Sequence, residues 1–479
     1  MKLAIFTLSL AMLAVCSVRI AAATPANLYN ELYRPQFHFS AAKNWLNDPN
    51  GLVFYKGEYH LFFQHNPSGI DWGNMTWGHA VSSDMLHWKQ LEHALYPDKL
   101  GTIFSGSAVI DCNNTSGFQT GDEKPIVAIY TSAGGTSDAS KGQPFTQSIA
   151  YSNDRGRTWT KYAKNPVLKH ISGGNRDPKV LWHAPRKQWI MALYLEDPNA
   201  KNDYALFGSA NLKDWTKLCS VTIPGNTECP DFFELPVDGD SKKTKWVFWG
   251  ASNSYVLGNF DGQKFVSETG SLQTHFGANR YAAQTFSDIP SFDGRRIQIA
   301  WMNGEKYPGM PFNQQMSIPA ALTLRTFPEG VRLCVQPIKE VERLRGKHSE
   351  WKNLALKSNE NPLAKTPGEL CDIVMNVVPQ TASQIALTIR GMTVTYNVKE
   401  KLLKCKGHSA PVDLVDGRLA LRILVDRSSI EIFTADGRAN MAFSFFPPQN
   451  DKSLKLTCQG GEAFVKSLDL WEMQSIWKQ

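Results

Sequence analysis

Short apolar runs, punctuated by turn residues, organise most of the chain. Leu52-Val53-Phe54-Tyr55, Tyr59-His60-Leu61-Phe62-Phe63, Ile126-Val127-Ala128-Ile129-Tyr130, Trp189-Ile190-Met191-Ala192-Leu193-Tyr194, Trp246-Val247-Phe248-Trp249 and Ile297-Gln298-Ile299-Ala300-Trp301 have the length and the β-branched and aromatic content of strands. Gly, Pro, Asn and Asp separate them, and the sequence carries no amphipathic helical pattern of useful length before Ile338. A weak repeat runs through this region. Ser83-Asp84 precedes Trp88, Asn153-Asp154 precedes Trp159, Ala210-Asn211 precedes Trp215, and Asp261-Gly262 precedes Phe265. An Asp or Asn turn followed by an aromatic predicts one outer hairpin per sheet of a radial array. Repeats on the order of 40–70 residues, each with about four strands, point to a β-propeller, and about 60 residues per repeat gives five blades over residues 30–337. A large irregular β-sandwich is the other reading of the same runs.

The pattern changes near residue 338. Ile338-Lys339-Glu340-Val341-Glu342-Arg343-Leu344-Arg345 spaces apolar residues three apart among charges, which predicts a short helix or linker over 338–349. Alternation then returns in Ile385-Ala386-Leu387-Thr388-Ile389, in Leu419-Ala420-Leu421-Arg422-Ile423-Leu424-Val425 and in Ile430-Glu431-Ile432-Phe433. Residues 350–479 therefore read as a separate antiparallel β-sandwich. The expected fold class is all-β, a five-bladed propeller followed by a C-terminal sandwich.

Composition refines the picture. With 42% hydrophobic and 20% charged residues, the 479-residue chain is that of a globular protein with a sizeable core. The 51 basic and 44 acidic residues are spread along it without a Lys/Arg run, which argues against a nucleic-acid partner. Lys2, the apolar stretch Leu3–Val18 and the small residues Ala21-Ala22-Ala23 read as a secretory signal peptide over 1–23, with cleavage after Ser17 fitting as well. No other stretch is long enough to cross a bilayer, so the expected destination is extracellular. Of eight cysteines, Cys16 would leave with the signal, and the remaining seven form no zinc-like cluster. An odd number leaves at least one thiol free or paired outside the chain. Glycosylation sequons stand at Asn74 and at the overlapping Asn113-Asn114-Thr115-Ser116.

The candidate chemistry is acidic. No G-x-S-x-G elbow, H-E-x-x-H, Walker loop or dinucleotide fingerprint is present in the sequence. In Trp45-Leu46-Asn47-Asp48-Pro49-Asn50-Gly51, Asp48 lies in a turn that Pro49 and Gly51 constrain, with Trp45 as an apolar platform and Asn47 as a hydroxyl ligand. In Gly173-Gly174-Asn175-Arg176-Asp177-Pro178, an Arg–Asp pair is held by Pro178. In Asn226-Thr227-Glu228-Cys229-Pro230-Asp231-Phe232-Phe233, an acid precedes a thiol and an apolar run, a setting expected to favour a protonated carboxyl. Alone, Asp48 reads also as an ordinary turn residue, and Arg176–Asp177 as a surface ion pair. Lying far apart in the chain, they would come from separate blades and meet on the propeller axis. Two carboxylates flanking a glycosidic bond are the basic requirement of glycoside hydrolysis.

These three motifs, in this order, resemble those of glycoside hydrolase family 32, the invertase and fructan hydrolase family. The resemblance extends to Phe62-Phe63-Gln64-His65-Asn66-Pro67, Trp72-Gly73-Asn74-Met75-Thr76-Trp77-Gly78-His79-Ala80, Ile103-Phe104-Ser105-Gly106-Ser107, Tyr281-Ala282-Ala283-Gln284, Ile299-Ala300-Trp301-Met302 and Asp426-Arg427-Ser428-Ser429-Ile430-Glu431-Ile432-Phe433. It covers nearly the whole chain after the signal peptide and implies the propeller-plus-sandwich fold. It implies that Asp48 is the nucleophile, Glu228 the acid/base, and Asp177 the transition-state stabiliser, binding fructose hydroxyls with Arg176. Trp45 joins the pocket from its own motif; Asn47, Gln64, Trp72, Phe104 and Ser105 match its lining, and Trp249 and Asn253 match the leaving-group side loosely. The implied activity is retaining β-fructofuranosidase on sucrose and short fructo-oligosaccharides, needing neither metal nor organic cofactor. A fructan hydrolase or fructosyltransferase uses the same residues, and a non-catalytic fructoside-binding protein would lack one of the three carboxylates. The sequence departs from the family at Pro319-Ala320-Ala321, His275, Asn279 and Arg280, which bears on blade closure and aglycone preference.

Overall fold

A computed structural model describes residues 28–196, 203–358 and 360–477; the signal peptide expected over 1–23 lies outside them. Five antiparallel sheets stand around a common axis. Their first three strands are Asn44–Tyr55, Glu58–Asn66 and Thr76–Ser82 in blade one, and Thr102–Ile110, Ile126–Ala133 and Thr146–Ser152 in blade two. Blade three has Arg176–His183, Gln188–Tyr194 and Tyr204–Ser209; blade four has Asp231–Val237, Asp240–Trp249 and Ser254–Phe260. Blade five runs Tyr281–Thr285, Arg296–Trp301, Ala320–Phe327 and Gly330–Pro337, and joins the ladder of blade four at Val237↔Leu324. The first strand of each blade lies beside that of the next, and Tyr281–Thr285 returns to Asn44–Tyr55 to close the ring.

Burial follows from this radial order. Ile126–Ala133 is buried at every position because both faces meet neighbouring blades, whereas the outer strand Lys89–Leu95 is half solvated. The sequence repeat is the turn between third and fourth strands. Asp84 Oδ1 accepts the amides of Leu86 and His87, Asp154 Oδ1 that of Thr158, Asn211 Oδ1 those of Lys213 and Asp214, and Asp261 Oδ1 those of Gln263 and Lys264. An Asx side chain replaces the missing backbone partners of a tight turn, which is why the repeat survives without further identity.

Lys339–Leu344 is a 3-10 turn, and strand Arg345–Leu356 begins inside the span read as linker. It joins Ala463–Met473, Cys371–Val378, Leu419–Val425, Ser429–Thr434 and Asn440–Ser444 in a six-stranded sheet. This packs on a five-stranded sheet over a core that includes Ile373, Leu387, Ile423, Phe443 and Leu468. The Asp426-Arg427-Ser428-Ser429 turn locks the sandwich to the propeller. Asp426 accepts the amides of Gln36 and Phe37 and meets His38 Nδ1 at 2.8 Å, while His38 Nε2 meets Glu431 at 2.8 Å. All seven described cysteines are unpaired thiols. No helix among the described residues is long and apolar enough to cross a membrane.

Candidate active site

The pocket is built where the inner strands break register. The ladder slips between Leu46 and Pro49 in blade one, between Ile103 and Gly106 in blade two, opposite Ala192–Tyr194 in blade three, and between Tyr281 and Gln284 in blade five. A bulge bends the strand and re-aims one side chain. Here the bulges turn Asp48, Ser105, Asp177 and Tyr281 toward the axis. Glu228 comes from the loop entering blade four, and both it and Asp177 hold left-handed backbone, with φ of 52° and 66°. Non-glycine residues in that region are strained and cluster at functional sites.

The three acids share one cavity of about 180 Å³. It is small beside the ~300–1,000 Å³ of common ligand pockets and suits a single sugar ring. Asp48 Oδ2 accepts from Ser105 Oγ at 2.5 Å, and Cys229 Sγ lies 3.6 Å from that oxygen and 3.4 Å from Asp177 Oδ2. The Cys229 amide donates to the same Asp177 oxygen at 3.1 Å. Burial raises the Asp48 pKa, the Ser105 and Asn47 donors pull it back, and the charge of Glu228 raises it again. Asp177 is also raised, by burial first and then by Glu228, with Arg176 acting against the shift. Asp48 and Asp177, buried and each facing a neighbouring carboxylate, therefore hold a proton more readily than an isolated carboxylate does. Burial holds the Cys229 thiol far above its usual pKa, which keeps it a neutral donor.

Glu228 sits in a polar setting, not the apolar one expected from its flanking sequence. Arg176 donates to its Oε1 from Nε at 3.0 Å and Nη2 at 2.8 Å, and the Tyr281 hydroxyl donates to Oε2. Arg176 is fixed in turn by Glu196 and by the Gly174 carbonyl. Burial and the neighbouring Glu228 push the Tyr281 phenol well above its normal range, so it stays an O–H donor.

Asn47, Gln64, Trp72, Phe104, Ser105 and Arg176 line the cavity with the acids. Trp72, 57% exposed, stands at the rim with its ring edge-on to Phe104. Trp45 does not line it. Its indole packs edge-on against Trp301 and donates to Asn47 Oδ1 at 2.8 Å, so it supports the wall from outside. Trp249 and Asn253 are buried away from the opening: Trp249 stacks on Tyr255, and Asn253 binds Arg280. Tyr281 and Trp301 complete the wall. In the sequence they were parts of motifs without a role, since an aromatic in a strand reads equally as core. The departures from the family pattern lie elsewhere. His275 bonds Asn440, Asn279 accepts the Ser444 amide across the seam with the sandwich, and Arg280 is buried against Asn253 and Gln298. Ala320 and Ala321 pair within a closed blade five.

A propeller bearing convergent carboxylates at one end of its axis, joined to a sandwich, defines a glycoside hydrolase. The chain matches the glycosyl hydrolases family 32 N-terminal domain over residues 38–337 and the family 32 C-terminal domain over 340–472, and it belongs to that family, whose members act on fructosides. It is 42% identical to a levanase of Bacillus subtilis over 95% of this chain and 73% of the relative. To the extracellular exo-inulinase of Aspergillus niger it is 33% identical over 97% and 99% of the two chains. The fructofuranosidase of Schwanniomyces occidentalis, solved with fructose, superposes with a TM-score of 0.82 at 28% identity, covering 95% of this chain and 100% of the other.

Proposed function

We propose that this chain is an exo-acting, retaining β-fructofuranosidase whose first substrate is sucrose. The observation that carries the reading is the convergence of Asp48, Asp177 and Glu228 on a cavity of about 180 Å³, room for one fructosyl ring with the remainder of the substrate outside. Asp48 attacks the anomeric carbon while Glu228 gives a proton to the departing oxygen. Water, deprotonated by Glu228, then releases fructose from the ester on Asp48. Asp177 and Arg176 bind the ring hydroxyls, and Tyr281 orients Glu228. Every step uses side chains of this chain.

The same pocket accepts the terminal fructosyl unit of short fructo-oligosaccharides, and the levanase and exo-inulinase relatives favour extending this to fructan ends. Secretion fits the leader-like first 23 residues and the extracellular relative, and Asn74, Asn113 and Asn114 are exposed for glycosylation. The test is product analysis of the purified protein on sucrose, inulin and levan. Equal glucose and fructose from sucrose, with fructose as the sole early product from the polymers, supports the reading. Oligosaccharide release, dominant transfer products or no hydrolysis overturns it.

A further inference from the structure

The propeller axis holds a second, larger cavity at its far end. Strand Arg176–His183 carries Asp177 at the catalytic end and His183 at the other, and Ser287 and Asp288 follow the end of Tyr281–Thr285 away from Tyr281. Around these far ends lies a cavity of about 570 Å³. Between the two stands a gap of only about 10 Å³, bounded by Gly106, Asp177, Cys229 and Ala283. A ligand at the rear therefore cannot reach the carboxylates through the axis.

Its lining combines aromatic and polar side chains. Trp182, Trp246 and Phe260 form the wall, with Trp182 packed edge-on to Trp189 at 5.0 Å. The polar side chains include donors and acceptors with capacity to spare. Among the described residues, Arg296 makes one hydrogen bond, from Nη1 to Phe286 O at 3.3 Å, and lies over the Phe233 ring. Asp288 accepts the Ile110 amide on Oδ2 alone. His183 is buried, and its Nδ1, which has no partner among the described residues, lies on the side of Gly262. Lys179 is already committed to Thr285 O and Asp231.

We propose that this rear cavity is a second saccharide site, taking a neutral mono- or disaccharide independently of catalysis. A hydroxyl both donates and accepts, and so suits a guanidinium, a carboxylate and an imidazole in one place. With Lys179 paired to Asp231, Arg296 stands against Asp288 and Glu234, which gives an anionic ligand no net attraction. A wholly apolar ligand would leave these polar groups buried and unpaired. The ring face of a sugar lies against the part-exposed Trp182 indole, as in ligand pockets built from aromatic walls and a few placed polar groups.

The test is ligand-observed NMR titration of the full chain with glucose, maltose and fructose, repeated on two variants. Ala184→Trp plugs the mouth from an exposed turn, and Trp182→Ala removes wall area. Saturable glucose or maltose binding is expected, weakened at least about tenfold by both variants, with fructoside hydrolysis unchanged. Binding that survives Ala184→Trp, or no binding of glucose and maltose to the wild-type chain, overturns the proposal. So does a cavity that takes inorganic phosphate and no sugar. Hydrolysis is assayed separately, so failure of the fructosidase reading is distinguishable from failure of this one.

Discussion

Asp48, Asp177 and Glu228 are similar acids given different surroundings, and their proposed roles rest on those surroundings. Asp48 faces a hydroxyl and a thiol, Asp177 an amide and the same thiol, and Glu228 a guanidinium and a phenol. Asp48→Asn is expected to lower kcat by ~10³ or more while sucrose still binds, because an amide forms no fructosyl ester. Steady-state kinetics beside a binding titration check this. Tyr281→Phe removes one donor to a charged acceptor, worth about 1.5–3 kcal/mol, so kcat/KM should fall roughly tenfold to a hundredfold without loss of fold. At this scale the acids were legible in the sequence because Pro49 and Pro178 constrain the turns of Asp48 and Asp177, Glu228 precedes a thiol and an apolar run, and the three motifs in this order resemble those of the family. Tyr281 and Trp301 were not, since nothing local separates a wall aromatic from a core aromatic. Trp45 misled for the same reason: its platform-like position in the motif says nothing about which side of the wall the ring takes.

At the level of elements, the site depends on breaks in the inner strands. Alternation along Asn44–Tyr55 cannot tell which side chains face the axis, because two register shifts within it exchange the faces. Strand existence was therefore readable, and side-chain direction was not. Trp249 illustrates this: it ends a strand, and its ring stacks on Tyr255 in the core instead of facing the pocket. Arg345 is a second case: charges mark an exposed edge strand as readily as a linker. Gly106 shows how tightly a bulge is packed. A Cβ there would lie 2.1 Å from the Ile129 carbonyl oxygen of the next strand. Gly106→Ala should cost about 1–3 kcal/mol of stability as the strand shifts. It should also lower kcat, because Ser105 moves with it and loses its hold on Asp48. Thermal unfolding and kinetics on the same preparation test both effects.

The whole molecule is tied together by a buried ionic clamp between propeller and sandwich. Burial alone would pull the His38 pKa down, but Asp426 and Glu431 outweigh it and raise it from 6.5 to about 9. Stability from this group is complete below about pH 6.5 and is lost as pH rises through about 9. Asp426 acts in the opposite direction. Burial opposes it, yet the His38 contact and two amides hold its pKa below the usual value, so its contribution fades only in acid. The melting temperature should therefore fall between about pH 6.5 and about pH 9 and level off above, and His38→Gln should be less stable below about pH 6.5 and lack that fall. The central claim is that one end of this propeller forms and breaks a fructosyl ester on Asp48 with Glu228 as acid and base. Its most direct test is Glu228→Gln with a fructoside whose leaving group needs no proton, assayed with azide. The ester should form, accumulate, and be released by azide as a β-fructosyl azide. Failure of azide to yield that product, in a folded variant that binds substrate, would contradict the assignment of Glu228.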